Sequence, residues 1–173
     1  MEIGHWYGQT KGYRHLSAVF ESLGDYRKSK LYCDNALSIS MEIGDKNGEA
    51  ICYRREGYTH KSLGDKDKAQ ACFEKALAIA LENGDRDEEA KDYVSLGRVV
   101  QSRGDHSVAA EYLEKALKIS ENIGNVENEF HCYCSLTLTK VSQNNFQEAF
   151  SLLFLGIKKS EKIRGFSSRQ RSN

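Results

Sequence analysis

The sequence predicts an all-α fold, a solenoid of about four antiparallel helix pairs, on three observations: evenly spaced turn marks, a near-copy of one stretch forty residues on, and apolar residues at helical spacing between the marks. The stretch SLGDKDKAQACFEKALAIALENGD at 62–85 returns at 102–125 as SRGDHSVAAEYLEKALKISENIGN. Gly-Asp stands at 24–25, 44–45, 64–65, 84–85 and 104–105, and the series continues as Gly124-Asn125 and Asn144-Asn145. Glycine reaches a left-handed backbone just past a helix end without a Cβ clash, and Asp or Asn then accepts the unpaired amide hydrogens of the next helix. Each mark can therefore stop one helix and start another. The marks are of two alternating kinds, SLGD, SLGD, SRGD and SQNN against EIGH, EIGD, ENGD and NIGN, so the true period is forty residues and the units are 1–40, 41–80, 81–120 and 121–160.

In the first unit, residues 6–23 are expected to form one helix and 26–43 the next, the second carrying Tyr32, Cys33, Ala36, Leu37 and Ile39 on one stripe. The same columns hold Cys72, Phe73, Ala76, Leu77 and Ile79 in the second unit and Tyr112, Leu113, Ala116, Leu117 and Ile119 in the third. The first helices share a tyrosine in every unit, at Tyr13, Tyr53, Tyr93 and Tyr133. Small residues have their own columns: Ser17, Gly57, Gly97 and Thr137 in the first helices, Ser29, Ala69, Ala109 and Ala149 in the second. Glycine inside a helix costs up to about 1 kcal/mol relative to alanine, so its recurrence at one place implies a close approach between the paired helices. Glu74-Lys75 and Glu114-Lys115 lie between the stripes and read as a solvated outer face. The fourth unit departs from this: Phe154-Leu155 replaces Glu-Lys, Gly156 stands where alanine recurs, and FSLLFLGI is apolar nearly all round. A helix of that kind is expected to be buried, so Phe154 and Leu155 are expected to form a docking face for a following domain, a further helix or a second copy. The expected architecture is eight helices of about 17 residues, joined by turns of two to four residues, with no strand.

Composition narrows the function classes. Lys plus Arg equals Asp plus Glu at 25 each, so no overall electrostatic pull toward nucleic acid or an anionic membrane is expected. No segment approaches the length of an apolar membrane span, and the first residues lack the build of a signal peptide. The five cysteines are odd in number and sit in helical stretches, which points to reduced thiols and a cytoplasmic location. The repeat domain is expected over 1–163, followed by a polar, disordered tail at 164–173. A further unit is expected from EKIRG onward, and Trp6, Tyr7 and Tyr13 stand at an uncapped end, so the chain reads as an excerpt of a longer array.

The pattern Tyr93-x-x-Leu96-Gly97, Gly104-Asp105, Ala109, Leu113, Ala116-Leu117, with Tyr53, Gly57, Gly64-Asp65, Ala69, Phe73 and Ala76-Leu77 repeating it, resembles the tetratricopeptide repeat. The period is forty rather than the family's usual thirty-four, and Gly-Asp turns replace the usual proline. That longer form resembles the arrays of cell-polarity scaffolds and of large animal proteins that carry a caspase-like domain. The resemblance implies a right-handed superhelix that acts as a non-catalytic protein–protein interaction scaffold, with partner peptides held on a concave face built by the first helices. The alternative it implies is a regulatory or sensing arm of a larger enzyme or caspase-like protease. By the same resemblance the groove columns hold Lys11, Arg14, Ala18 and Glu21; Ile51, Arg54, Tyr58 and Lys61; Lys91, Val94, Arg98 and Gln101; and His131, Cys134, Leu138 and Val141. Lys11, Arg14, Arg54, Lys61, Lys91 and Arg98 face only Glu21 there, so a neutral protein is expected to carry a basic groove for acidic or carboxylate-bearing peptides, with Arg54 and Arg98 as the forks best suited to a carboxylate. Tyr58 and Gln101 complete the expected groove.

Other chemistry is not expected. Cys132 and Cys134 are two apart on a helix and point to different sides, so with His131 they do not make a zinc site. The histidines fall in unrelated columns and offer no Cys-His nucleophile pair. Each turn glycine is a lone helix stop rather than part of a phosphate loop, and capping explains the acidic turn residues without calcium. No catalytic residue, metal or cofactor is therefore assigned.

Overall fold

A computed structural model describes residues 3–170, with side chains described for residues 4–161. Its element order is α1 (Ile3–Ser22), α2 (Tyr26–Glu42), α3 (Lys46–Ser62), α4 (Lys66–Asn83), α5 (Arg86–Arg103), α6 (His106–Ile123), α7 (Val126–Ser142) and α8 (Phe146–Gln170), with no strand among the described residues. The fold is an all-α helical-repeat solenoid of four antiparallel helix pairs. The two compact units are residues 1–84 and 85–173, each two helix pairs in sequence.

The turn chemistry is what the marks imply. Gly84, Gly104 and Gly124 stop α4, α5 and α6 at φ of 67°, 95° and 69°. At the one mark without glycine, Asn144 takes the left-handed position itself at φ 59°, which asparagine tolerates better than other side chains. The following Asp or Asn then caps the next helix: Asp45 accepts from the Gly48 amide at 2.9 Å, Asp85 from Glu88 at 3.1 Å and Asn125 from Asn128 at 3.0 Å. α1 begins earlier than residue 6, and α8 is longer than its counterparts. It continues through Gly165, which is followed by Phe166 rather than a capping Asp or Asn, and so it runs past residue 164, where the tail was expected to start.

Within the first unit α1 pairs with α2 and α3 with α4, and α2 packs on α3. Cys33, Ala36 and Cys52 form the buried centre there, with Tyr13 and Leu37 packed against it. Ser17 and Ser29 hydroxyls meet at 3.2 Å, and Ser29 reaches Thr59 at 3.4 Å, so the small columns double as a buried hydrogen-bonded seam. In the second unit Val94, Ala110, Leu113, Ala116, Cys132 and Leu136 form the core, with Tyr93, Leu117 and Leu152 against it. The recurrent glycines are close approaches to a side chain. A Cβ on Gly57 would lie 2.6 Å from the Phe73 ring, and one on Gly97 would lie 2.8 Å from Leu113 Cγ. The Glu-Lys pairs are exposed, and their lysines roof the tyrosine column, Lys75 over Tyr53 at 5.1 Å and Lys115 over Tyr93 at 5.9 Å.

A second recurring column is charged. Glu49, Glu89 and Glu129 are each buried in the first turns of α3, α5 and α7. Each has its own cation, Lys46, Arg86 and Lys159 respectively. Buried carboxylates are tolerated only with such partners, and the helix N-terminus adds favourable dipoles.

Candidate functional site

The first helices of each unit lie side by side, and polar contacts cross between them. In the first unit Arg55 on α3 approaches Glu21 on α1 at 3.7 Å. Burial raises the pKa of Glu21 above the usual carboxylate range, while the charge of Arg55 works to lower it. In the second unit Arg98 Nε on α5 donates to Ser135 Oγ on α7 at 3.1 Å. These side-by-side helices form the face on which the groove residues were expected.

The structure divides those residues into three groups. Lys11 is exposed, Arg14 and Arg98 are half-buried, and none of the three has a carboxylate in ion-pair range among the described residues. Lys91 is neutralised by its own helix, at 2.6 Å from Asp87 and 2.7 Å from Glu88. Burial would lower its pKa, but the hydrogen bonds it donates to those two carboxylates outweigh it and hold the ammonium above its ordinary value. Lys61 is half-buried and partnered within the protein. Arg54 departs most from the expected groove: it is only 9% exposed and is likewise partnered. The column it shares with Val94 is turned inward in both places, for Val94 belongs to the core between α5 and α7. Tyr58 is half-buried with its ring edge-on to Phe73 at 5.1 Å, and Gln101 is half-exposed. On α7 the groove columns place Leu138 and Val141 in the open beside exposed His131.

A cluster of side chains able to hold a metal ion lies elsewhere among the described residues. Glu56 and His60 on α3 and Cys72 on α4 bring one potential ligand atom each to within 4.8 Å of one another. His60 Nε2 is 3.5 Å from Glu56 Oε1. Burial first, and then the negative charge of Glu56, push the Cys72 thiol up to about 11. The forty-residue columns hold the signal that could have found them. Glu56 stands where the other repeats have Leu16, Leu96 and Leu136, and Cys72 where they have Tyr32, Tyr112 and Leu152.

The expected docking residues of α8 lie on its open side. Phe154 and Leu155 are exposed, as are Phe150, Leu153 and Ile157. Between α7 and α8 a cleft of about 250 Å³ opens beside Cys134, Thr137, Leu153 and Gly156, where Thr137 and Gly156 replace the glycine and alanine of the middle repeats.

Comparison with known proteins accords with this architecture. BtubC from P. vanneervenii matches with a TM-score of 0.78 at 21% identity over 90% of this chain. Aspartyl phosphate phosphatase F from Bacillus subtilis gives 0.84 at 16% identity over 90%. The nearly identical TPR-like repeats of a putative kinesin light chain from Podosopora anserina give 0.72 at 15% identity over 88%. At these identities the likeness is one of fold. The present chain spans 65% of the first structure, 41% of the second and 74% of the third. No curated protein matches the sequence. The family model of the tetratricopeptide repeat matches residues 10–82 and 67–122, well over half of the chain. With its helix pairs, glycine-to-large-residue contacts and turn caps in register, the chain belongs to the tetratricopeptide repeat family.

Proposed function

We propose that the chain is a non-catalytic protein–protein interaction scaffold whose first helices hold acidic or carboxylate-bearing peptide segments of partner proteins. The observation that carries this is Arg98. Its guanidinium is anchored through Nε to Ser135, has no carboxylate partner among the described residues, and lies on the face where Gln101, Leu138 and Val141 are also accessible. An oriented arginine fork beside exposed aliphatic side chains suits a peptide carrying a carboxylate next to an apolar residue. In the first unit Lys11 and Arg14 supply the equivalent unpaired charge. Arg54 is not part of this surface, because its side chain is buried and engaged. A cytoplasmic location fits five free cysteines, and no described helix is long and apolar enough to cross a membrane.

Peptide arrays of acidic, neutral and basic sequences, read at two salt concentrations, test the proposal, since partly exposed charges are screened by salt. Arg98→Glu is expected to weaken acidic peptides by about tenfold or more, whereas Lys91→Gln changes binding little because that ammonium is already neutralised. Lys11→Glu with Arg14→Glu asks the same of the first unit. Undiminished binding of every recovered peptide by all three charge-reversed positions would remove this face from consideration.

A further inference from the structure

We propose that Glu56, His60 and Cys72 form a binding site for a divalent zinc-type cation inside the second repeat, with the fourth ligand position left to water or to a side chain from a partner. The repeat supplies its own control. In the column of Glu56 the other units carry Leu16, Leu96 and Leu136, and the last two are 1% and 2% exposed. In the column of His60 the first and third units carry Phe20 and Val100, and in that of Cys72 they carry Tyr32 and Tyr112. Phe20 and Tyr32 stack at 5.4 Å in the first repeat, so these two columns meet across that helix pair as His60 and Cys72 do across theirs. The fourth repeat carries Lys140 in the column of His60, and only the second repeat places metal-ligating residues in all three columns.

The geometry suits the ion. The three donor atoms lie within 4.8 Å of one another, against the roughly 3.3–3.8 Å that separates ligands around a tetrahedral zinc ion, so small side-chain adjustments close the site. Glu56 and His60 are one helical turn apart on the same face of α3, and Cys72 is brought across from α4 by the packing of the pair. Sulfur, imidazole and carboxylate together make a donor set that zinc accepts and that magnesium and calcium do not favour. A cation already sits at the mouth: Lys30 Nζ is 3.1 Å from Glu56 Oε1 and 3.2 Å from Asp34 Oδ1, so it can remain with Asp34 when a divalent ion takes Glu56. Binding releases the Cys72 proton to solvent as the thiolate forms, and affinity therefore rises with pH. The charged and titratable groups that face the thiol are Glu56 and His60 from α3, Lys75 from α4 and Lys30 from α2.

Cobalt(II), an optical stand-in for zinc, is titrated into the full reduced chain. One equivalent is expected to bind with a sulfur-to-cobalt charge-transfer band, to be displaced by zinc, and zinc is expected to raise the melting temperature in a concentration-dependent way. Cys72→Ser leaves four cysteines in place and is expected to abolish the band. Glu56→Leu and His60→Phe import residues found at the same columns of neighbouring repeats, preserve the fold by circular dichroism, and weaken zinc by more than about 100-fold, since even partners outside the ligand set cost 10–100-fold. Cobalt bound without the sulfur band, or zinc affinity unchanged in Cys72→Ser, overturns the site.

Discussion

At the scale of single residues, the recurring glycines show that one letter can have opposite consequences in the same fold. Gly57 faces the ring of Phe73, and an added methyl would lie 2.6 Å from it. Phe73 is fully buried and cannot swing away. Gly57→Ala is therefore expected to destabilise by about 1–3 kcal/mol through overpacking, even though alanine is the better helix former. Gly12, in the interior of α1, has nothing within 4 Å of the equivalent Cβ position. There Gly12→Ala is expected to stabilise by about 0.5–1 kcal/mol. Urea unfolding of the two variants measures both signs. A Gly57→Ala protein more stable than the parent would show that this column is not a tight contact.

Helix ends offer a comparison at the scale of elements. Asp85 and Asp105 stand at successive marks, opening α5 and α6, but Asp85 accepts a hydrogen bond from the Glu88 amide while the Asp105 side chain makes no capping bond. Asp85→Ala should then cost about 1 kcal/mol and Asp105→Ala only a small fraction of that. Equal losses in chemical unfolding would mean that the turn, rather than the cap, sets the energy. The glycine that begins each Gly-Asp or Gly-Asn mark contributes separately, by making the left-handed stop available without strain. The same division explains why Asn144-Asn145 still works as a mark: Asn144 takes the left-handed position, and Asn145 accepts from the Glu148 amide at 3.3 Å.

For the whole molecule, the columns that neighbouring repeats normally cover are open in two places. On α8, Phe150 is 73% and Leu153 46% exposed, where the equivalent Ala110 and Leu113 on α6 lie in the core that α7 completes. On α1, Leu16 and Val19 are exposed, where the equivalent Leu136 and Thr139 on α7 are buried within the second unit. A first helix is what covers a second helix in this fold, as α7 covers α6, so α1 of one copy is suited to α8 of another. We propose that the outer face of α8, including Phe154 and Leu155, docks a second copy of this chain in head-to-tail fashion. Such heterologous contacts repeat from copy to copy, into a ring where the rotation closes and a filament where it does not, so association is expected to grow with concentration beyond a dimer. Phe150→Glu with Leu153→Lys puts charge on the columns that α7 covers on α6 and is expected to shift sedimentation toward monomer. Unchanged self-association in that variant, or a parent that stays monomeric at high concentration, rules the contact out.

The sequence by itself determined the period, the position of each turn, the stripe that each second helix buries and the small residues where helices press together. Those features are local: a cap needs its own first turn, and a 3.6-residue stripe needs only its own helix. Tertiary structure decided which columns of the first helices stay open. Periodicity separates one face of a helix from another, but which neighbour covers a face depends on packing between helices far apart in the chain. Arg54 and Lys91 therefore looked equivalent to Arg98 in the sequence, and burial in one case and the carboxylates of α5 in the other set them apart. The Glu56, His60 and Cys72 cluster was hidden for the same reason. Its signal is a departure from the repeat columns, and its geometry exists only because α3 and α4 pack as a pair and bring a cysteine against a histidine of the preceding helix.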